Sequence, residues 1–114
     1  MRPEKLYLTD IVEAAQSMEK FLTGADFNEF EQNEMINSAV LQKLTIIGEA
    51  AAHLPKGFTK RFPNIPWVDI VGFRNIAIHE YFAIRLDIAW VAATEEVPTL
   101  KEQIEKILRE EFPD

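Results

Sequence analysis

The chain has 114 residues, 47% of them hydrophobic and 27% charged, with four glycines and no cysteine. That length fits one compact domain spanning 1–114, and that composition excludes the disordered and fibrous classes. The absence of cysteine excludes disulfides, iron–sulfur clusters, thiolate zinc sites and cysteine nucleophiles. No apolar run reaches the roughly eighteen residues of a membrane span, and the opening Met1-Arg2-Pro3-Glu4-Lys5 leads into an amphipathic pattern rather than a signal peptide. A cytoplasmic protein without membrane contact is therefore expected. The net charge of −7 is unevenly spread: residues 1–54 hold 4 Lys/Arg against 9 Asp/Glu, 55–86 hold 5 against 2, and 87–114 hold 3 against 8. So acidic a chain is a poor non-specific binder of nucleic acid. Contact with a polyanion would have to be local, through Lys56, Lys60, Arg61, Arg74 or Arg85.

From Leu6 to Leu22 the apolar residues Leu8, Ile11, Val12, Ala15, Met18, Phe21 and Leu22 recur at helical spacing, and Gly24 is a natural stop. Asp26 to Asn33 is polar with Phe27 and Phe30 three apart, which predicts a short helical turn or an ordered loop. Glu34 to Leu54 repeats the helical pattern through Ile36, Val40, Leu44, Ile47 and Ala51, and Pro55 ends it. A connecting segment with Phe58 and Phe62 as anchors follows. Pro66 opens a helix from about Trp67 through His79, with Trp67 and Trp90 read as core residues. Asp87 begins another helical pattern, which Pro98 is expected to kink or break before a last stripe of Leu100, Ile104, Ile107, Leu108 and Phe112. Strand-like alternation and repeats are absent from the sequence, so the expected fold is all-α, a four- to five-helix up-and-down bundle. Gly48 and Gly72 fall inside helical patterns, where each costs about 1 kcal/mol relative to alanine. Either a neighbour packs closely there, or both are merely tolerated.

The familiar catalytic arrangements fail in turn. His53 and His79 are the only histidines, and neither spacing suits a helical zinc site. The glycines are scattered singly, which excludes a phosphate-binding loop, and Ser17 and Ser38 lack a nucleophile elbow. His53 is most simply a partner for the C-terminal helix dipole. What stands out is Arg74-Asn75-Ile76-Ala77-Ile78-His79-Glu80-Tyr81-Phe82, which gathers a permanent cation, an amide, an imidazole and a phenol. At about 100° per residue on one helix, Arg74, Asn75, His79 and Tyr81 fit a sector of roughly 160°. Such a sector suits cleavage of RNA without metal: imidazole accepts the ribose 2′-OH proton while guanidinium stabilises charge on the phosphoryl oxygens. A single copy lines a broad shallow face, whereas two copies facing each other make a cleft. The same strip also reads as an inter-helix network, with Arg74 pairing a buried carboxylate such as Glu49 and His79 satisfied in the core. Lys60-Arg61 is a weak basic pair, a surface feature or a phosphate contact.

Arg74, four intervening residues, His79, one residue and Tyr81 form the pattern of the HepT-like toxins, a branch of the HEPN superfamily of small helical ribonucleases. Ile46-Ile47-Gly48-Glu49-Ala50-Ala51, Phe62-Pro63-Asn64-Ile65-Pro66-Trp67 and Thr94-Glu95-Glu96-Val97-Pro98 also resemble that family, so the likeness covers nearly the whole chain. One departure is Ala83, where many relatives carry glycine. The resemblance implies a HEPN-like homodimer whose two motifs meet in a cleft and cleave RNA with no cofactor. Arg74 and His79 would be the catalytic pair, Asn75 a supporting residue, and Lys60, Arg61 and Arg85 candidate RNA contacts. It further implies a type VII toxin–antitoxin system, in which a nucleotidyltransferase antitoxin of the MNT type attaches AMP to Tyr81. Added negative charge and bulk beside Arg74 and His79 would block RNA. A non-catalytic module that docks a nucleotidyltransferase and presents it with a substrate is the alternative.

Overall fold

Three long amphipathic stretches bury their stripes against one another, and shorter pieces fill the gaps. The computed structural model describes residues 3–78 and 85–113. Helix α1 (Glu4–Leu22) buries Leu8, Ile11, Val12, Ala15 and Met18. It ends at Thr23, and Gly24 then takes a φ of +76°, a left-handed conformation that glycine adopts without a Cβ penalty. Helix α2 (Phe27–Gln32) is capped by Asp26, whose carboxylate accepts the Glu29 N–H at 2.8 Å. A single residue, Asn33, separates it from α3 (Glu34–Ala52). The Asn33 N–H bonds the Glu29 carbonyl at 2.9 Å, while its side-chain oxygen accepts the Ile36 N–H at 3.2 Å. One turn later the buried amide of Asn37 donates to the Phe30 carbonyl at 3.2 Å.

Helix α3 is central: it packs against α1 on one side and against α2 and the later helices on others. After Pro55 come α4 (Lys56–Thr59), α5 (Trp67–Gly72) and α6 (Arg74–Ile78). The Trp67 indole N–H is shared between the carbonyls of Thr59 and Phe62, both at 3.1 Å, which fastens α5 to the preceding turn. The single helix expected from Trp67 through His79 is thus divided at Phe73. At the joint the Phe73 N–H bonds the Ile70 carbonyl and the Ile76 N–H bonds the Phe73 carbonyl, a tightening to three-residue spacing. His79 lies outside the described residues.

Helix α7 (Leu86–Val91), a π turn (Ala92–Glu96) and α8 (Val97–Glu111) form one continuous helical run. Of the kink or break expected at Pro98, the break does not occur, and the irregularity takes the form of the π turn just before it. Proline lacks an N–H and its ring would press on the carbonyl four residues back, and the wider turn immediately before it relieves both conflicts while the Val97 N–H bonds the Ala92 carbonyl. Leu100, Ile104 and Ile107 bury the stripe of α8, and Lys101 reaches Glu19 of α1 at 2.9 Å. Trp90 is half-buried against Phe27 and Phe30 of α2, with ring centroids 5.9 and 5.3 Å away. Every described element is helical, so the all-α bundle forms as expected, with its short helices more finely divided than periodicity indicated. Among the described residues no helix is long and apolar enough to cross a membrane.

Candidate active site

The backbone of α3 comes closest to α6 at Gly48. A Cβ placed there would lie 2.6 Å from the Arg74 backbone nitrogen, 3.0 Å from its Cβ and 3.0 Å from the Val71 carbonyl oxygen. Any side chain at 48 must push α6 away, so glycine is required by the close approach. Gly72 has nothing within 4 Å of the equivalent point and is simply tolerated. The two readings left open by the sequence are therefore divided between the two glycines.

Gly48 sets the depth of Arg74, and the next residue contacts its head. The Arg74 Nη1 stands 3.4 Å from Glu49 Oε1, with side chains 37% and 47% exposed. This is the pairing named from the sequence, but Glu49 is at the surface rather than buried. At 3.4 Å and half in water, the contact orients the guanidinium and, among the described residues, leaves most of its donors available to a ligand. Asn75 follows on α6 and is exposed. His79 and Tyr81, the other members of the expected sector, lie outside the described residues.

Two of the three peripheral cations, Arg61 and Arg85, have protein partners. Arg61 donates to Glu111 near the end of α8 and lies over the rings of Phe62 and Phe58, 5.2 and 5.9 Å from their centroids. Phe58 in turn packs on Phe112. Arg61 thereby holds α4 to the C-terminal helix, a structural task that the sequence did not reveal because its partner is 50 residues away. Arg85 makes a two-pronged contact with Asp87 at 3.0 and 2.8 Å, which holds the Asp87 carboxyl below the usual carboxylate range. Lys60 is exposed at the end of α4.

A second feature adjoins Arg74 and had no sequence signal. His53 caps α3, its Nδ1 2.7 Å from the Glu49 carbonyl oxygen, in keeping with its expected place at the helix end. Its ring also stacks on Tyr7 of α1, with centroids 5.4 Å apart and planes inclined by 20°. The pair forms part of an open groove of about 330 Å³ between α1 and α3, whose other walls are Asp10, Thr45, Ile46, Glu49 and Ala50. Glu49 thus belongs both to the groove and to Arg74. Tyr7 sits in an ordinary helical stripe, and only tertiary packing brings it to His53.

Comparison with known proteins supports the family resemblance read from the sequence. The family model described as Ribonuclease HepT-like matches residues 11–107. A Methanocaldococcus jannaschii protein named "Putative RNase MJ1380" is 43% identical over 104 residues, which cover 91% of this chain and 95% of that protein. "Probable ribonuclease HepT" of Thermococcus cleftensis is 36% identical over 106 residues, covering 93% and 96% respectively. No solved structure matches at a comparable level of significance.

Proposed function

Because the chain belongs to the HepT-like ribonuclease family, we propose that it is a metal-independent endoribonuclease, the toxin of a type VII HEPN/MNT toxin–antitoxin pair. The observation that carries this reading is Arg74, set on the Gly48 backbone with its guanidinium half-exposed and only loosely held by Glu49. Arg74 binds the scissile phosphate and offsets the charge that builds on its oxygens. His79 accepts the proton of the ribose 2′-OH as that oxygen bonds to phosphorus, and the 5′-oxygen departs with a proton. The products are a 2′,3′-cyclic phosphate and a 5′-hydroxyl. Asn75 orients the site, and Lys60, exposed at the end of α4, follows the RNA backbone, whereas Arg61 and Arg85 would have to leave their carboxylates to do so. Two copies facing each other bring their motifs into one cleft in the cytoplasm. A nucleotidyltransferase partner silences the site by transferring AMP to Tyr81.

Purified protein incubated with RNA in excess chelator tests the chemistry. Cleavage to 2′,3′-cyclic ends is expected, lost in His79→Ala and reduced about 10²- to 10³-fold in Arg74→Ala. Intact mass after incubation with the partner and ATP should rise by one or more adenylates, and Tyr81→Phe should abolish the rise. The Arg74–Glu49 pair also favours a second reading, a binding module without activity, in which Arg74 serves the fold. Absence of cleavage across many RNAs, together with retained binding of the nucleotidyltransferase, would establish that reading instead.

A further inference from the structure

We propose that the groove at Tyr7 and His53 is a nucleobase subsite that seats a guanine of the RNA beside the scissile phosphate. The proposal rests on the ribonuclease reading above and specifies its substrate. A ribonuclease acting on a flexible strand must hold a base next to the phosphate it cuts, and proteins hold unstacked bases on aromatic faces. The Tyr7–His53 stack offers such a platform at the surface, with the apolar Ile46 and Ala50 beside it. Its volume, about 330 Å³, is at the small end of ligand pockets and suits one base rather than a longer segment.

Charge decides which base. The carboxylates of Glu49 and Asp10 on the groove wall accept hydrogen bonds and donate none, and both repel phosphate. The sugar–phosphate chain is therefore kept out of the groove and directed to Arg74, while the base edge that enters must present donors. Guanine alone among the four bases has two adjacent donors, N1–H and the N2 amine, on its Watson–Crick edge. A carboxylate has about four lone-pair sites, and among the described residues Glu49 bonds through its side chain only to Arg74, which leaves room for that edge. The base on Glu49 and the phosphate on Arg74 then share one anchor, which fixes their spacing.

The test uses the whole protein and 2′-deoxy dinucleotides, which lack the attacking hydroxyl, followed by NMR of the His53 ring protons. A guanine dinucleotide should shift those signals and bind about fivefold or more tighter than its hypoxanthine, adenine, cytosine and uracil counterparts. Tyr7→Ala should weaken it about fivefold or more, and Tyr7→Phe should restore it. Because Tyr7 also leans on the core, the surface variant His53→Ala, read by calorimetry, should weaken binding on its own. Unmoved His53 signals, or equal affinity for all bases, would overturn the subsite. Cleavage of RNA in chelator reports separately on the ribonuclease reading, so wild-type cleavage with no base preference would sink the subsite alone.

Discussion

The long helices α1, α3 and α8 and the interrupted stretch from Pro55 to Ile78 solve different problems. The long helices bury continuous stripes, among them Leu8, Leu44 and Ile104 with no exposed surface, and their stability is spread over many contacts. The interrupted stretch holds few buried residues, chiefly Phe58, Ile65, Ile70 and Phe73, and breaks into three short helices. What it lacks in core it gains in position, because each break redirects the chain until Arg74 lies on Gly48. Damage to the first region should therefore cost stability, and damage to the second should cost the site.

Leu44→Ala should have the largest effect on stability, about 2–5 kcal/mol by denaturant titration, while the folded fraction keeps its RNA affinity. Gly48→Ala should lower stability by about 1–3 kcal/mol, because the new methyl meets backbone rather than a flexible side chain. RNA binding should fall further than that loss of stability explains, and a variant with wild-type binding would erase the contrast between the regions. Gly72→Ala sharpens it from the other side: with nothing near, the substitution should raise stability by up to about 1 kcal/mol in thermal unfolding.

The smallest effect concerns Glu96 in the π turn. Partial burial, then the charges of Asp69 and Glu95, hold its carboxyl above the usual carboxylate range. The fold thus disfavours the ionised form, so stability is fully present below the ordinary titration range and falls as pH rises through the raised value. Glu96→Gln should remove that penalty and raise stability at pH 7 by no more than about 0.5 kcal/mol, with no gain in acid, where the native carboxyl is already neutral. An equal gain at both pH values would refute the assignment.

The helical class and the boundaries of α1 and α3 were legible because apolar periodicity ends at punctuating residues, Gly24 and Pro55. The joint at Phe73 was not, since Gly72 before it reads equally as a glycine tolerated inside a continuing helix, and the tightening accompanies docking against α3. Pro98 was visible as a conflict, but its resolution by a π turn depends on hydrogen bonds that sequence does not display. At the site, the Arg74–Glu49 pairing was readable from residue types, and its exposure was not. The Tyr7–His53 stack joins residues 46 apart in sequence on separate helices, where no local pattern could announce it.

The corner at Asn33 has a further consequence. Its bonds, and those of Asn37, come from neutral amides and backbone groups, so neither acid nor concentrated salt can loosen them. The Arg61–Glu111 and Lys101–Glu19 ties on α8 have no such immunity. In brine or acid those two surface ties should weaken, while the buried stripe of α8 and the bend between α2 and α3 hold.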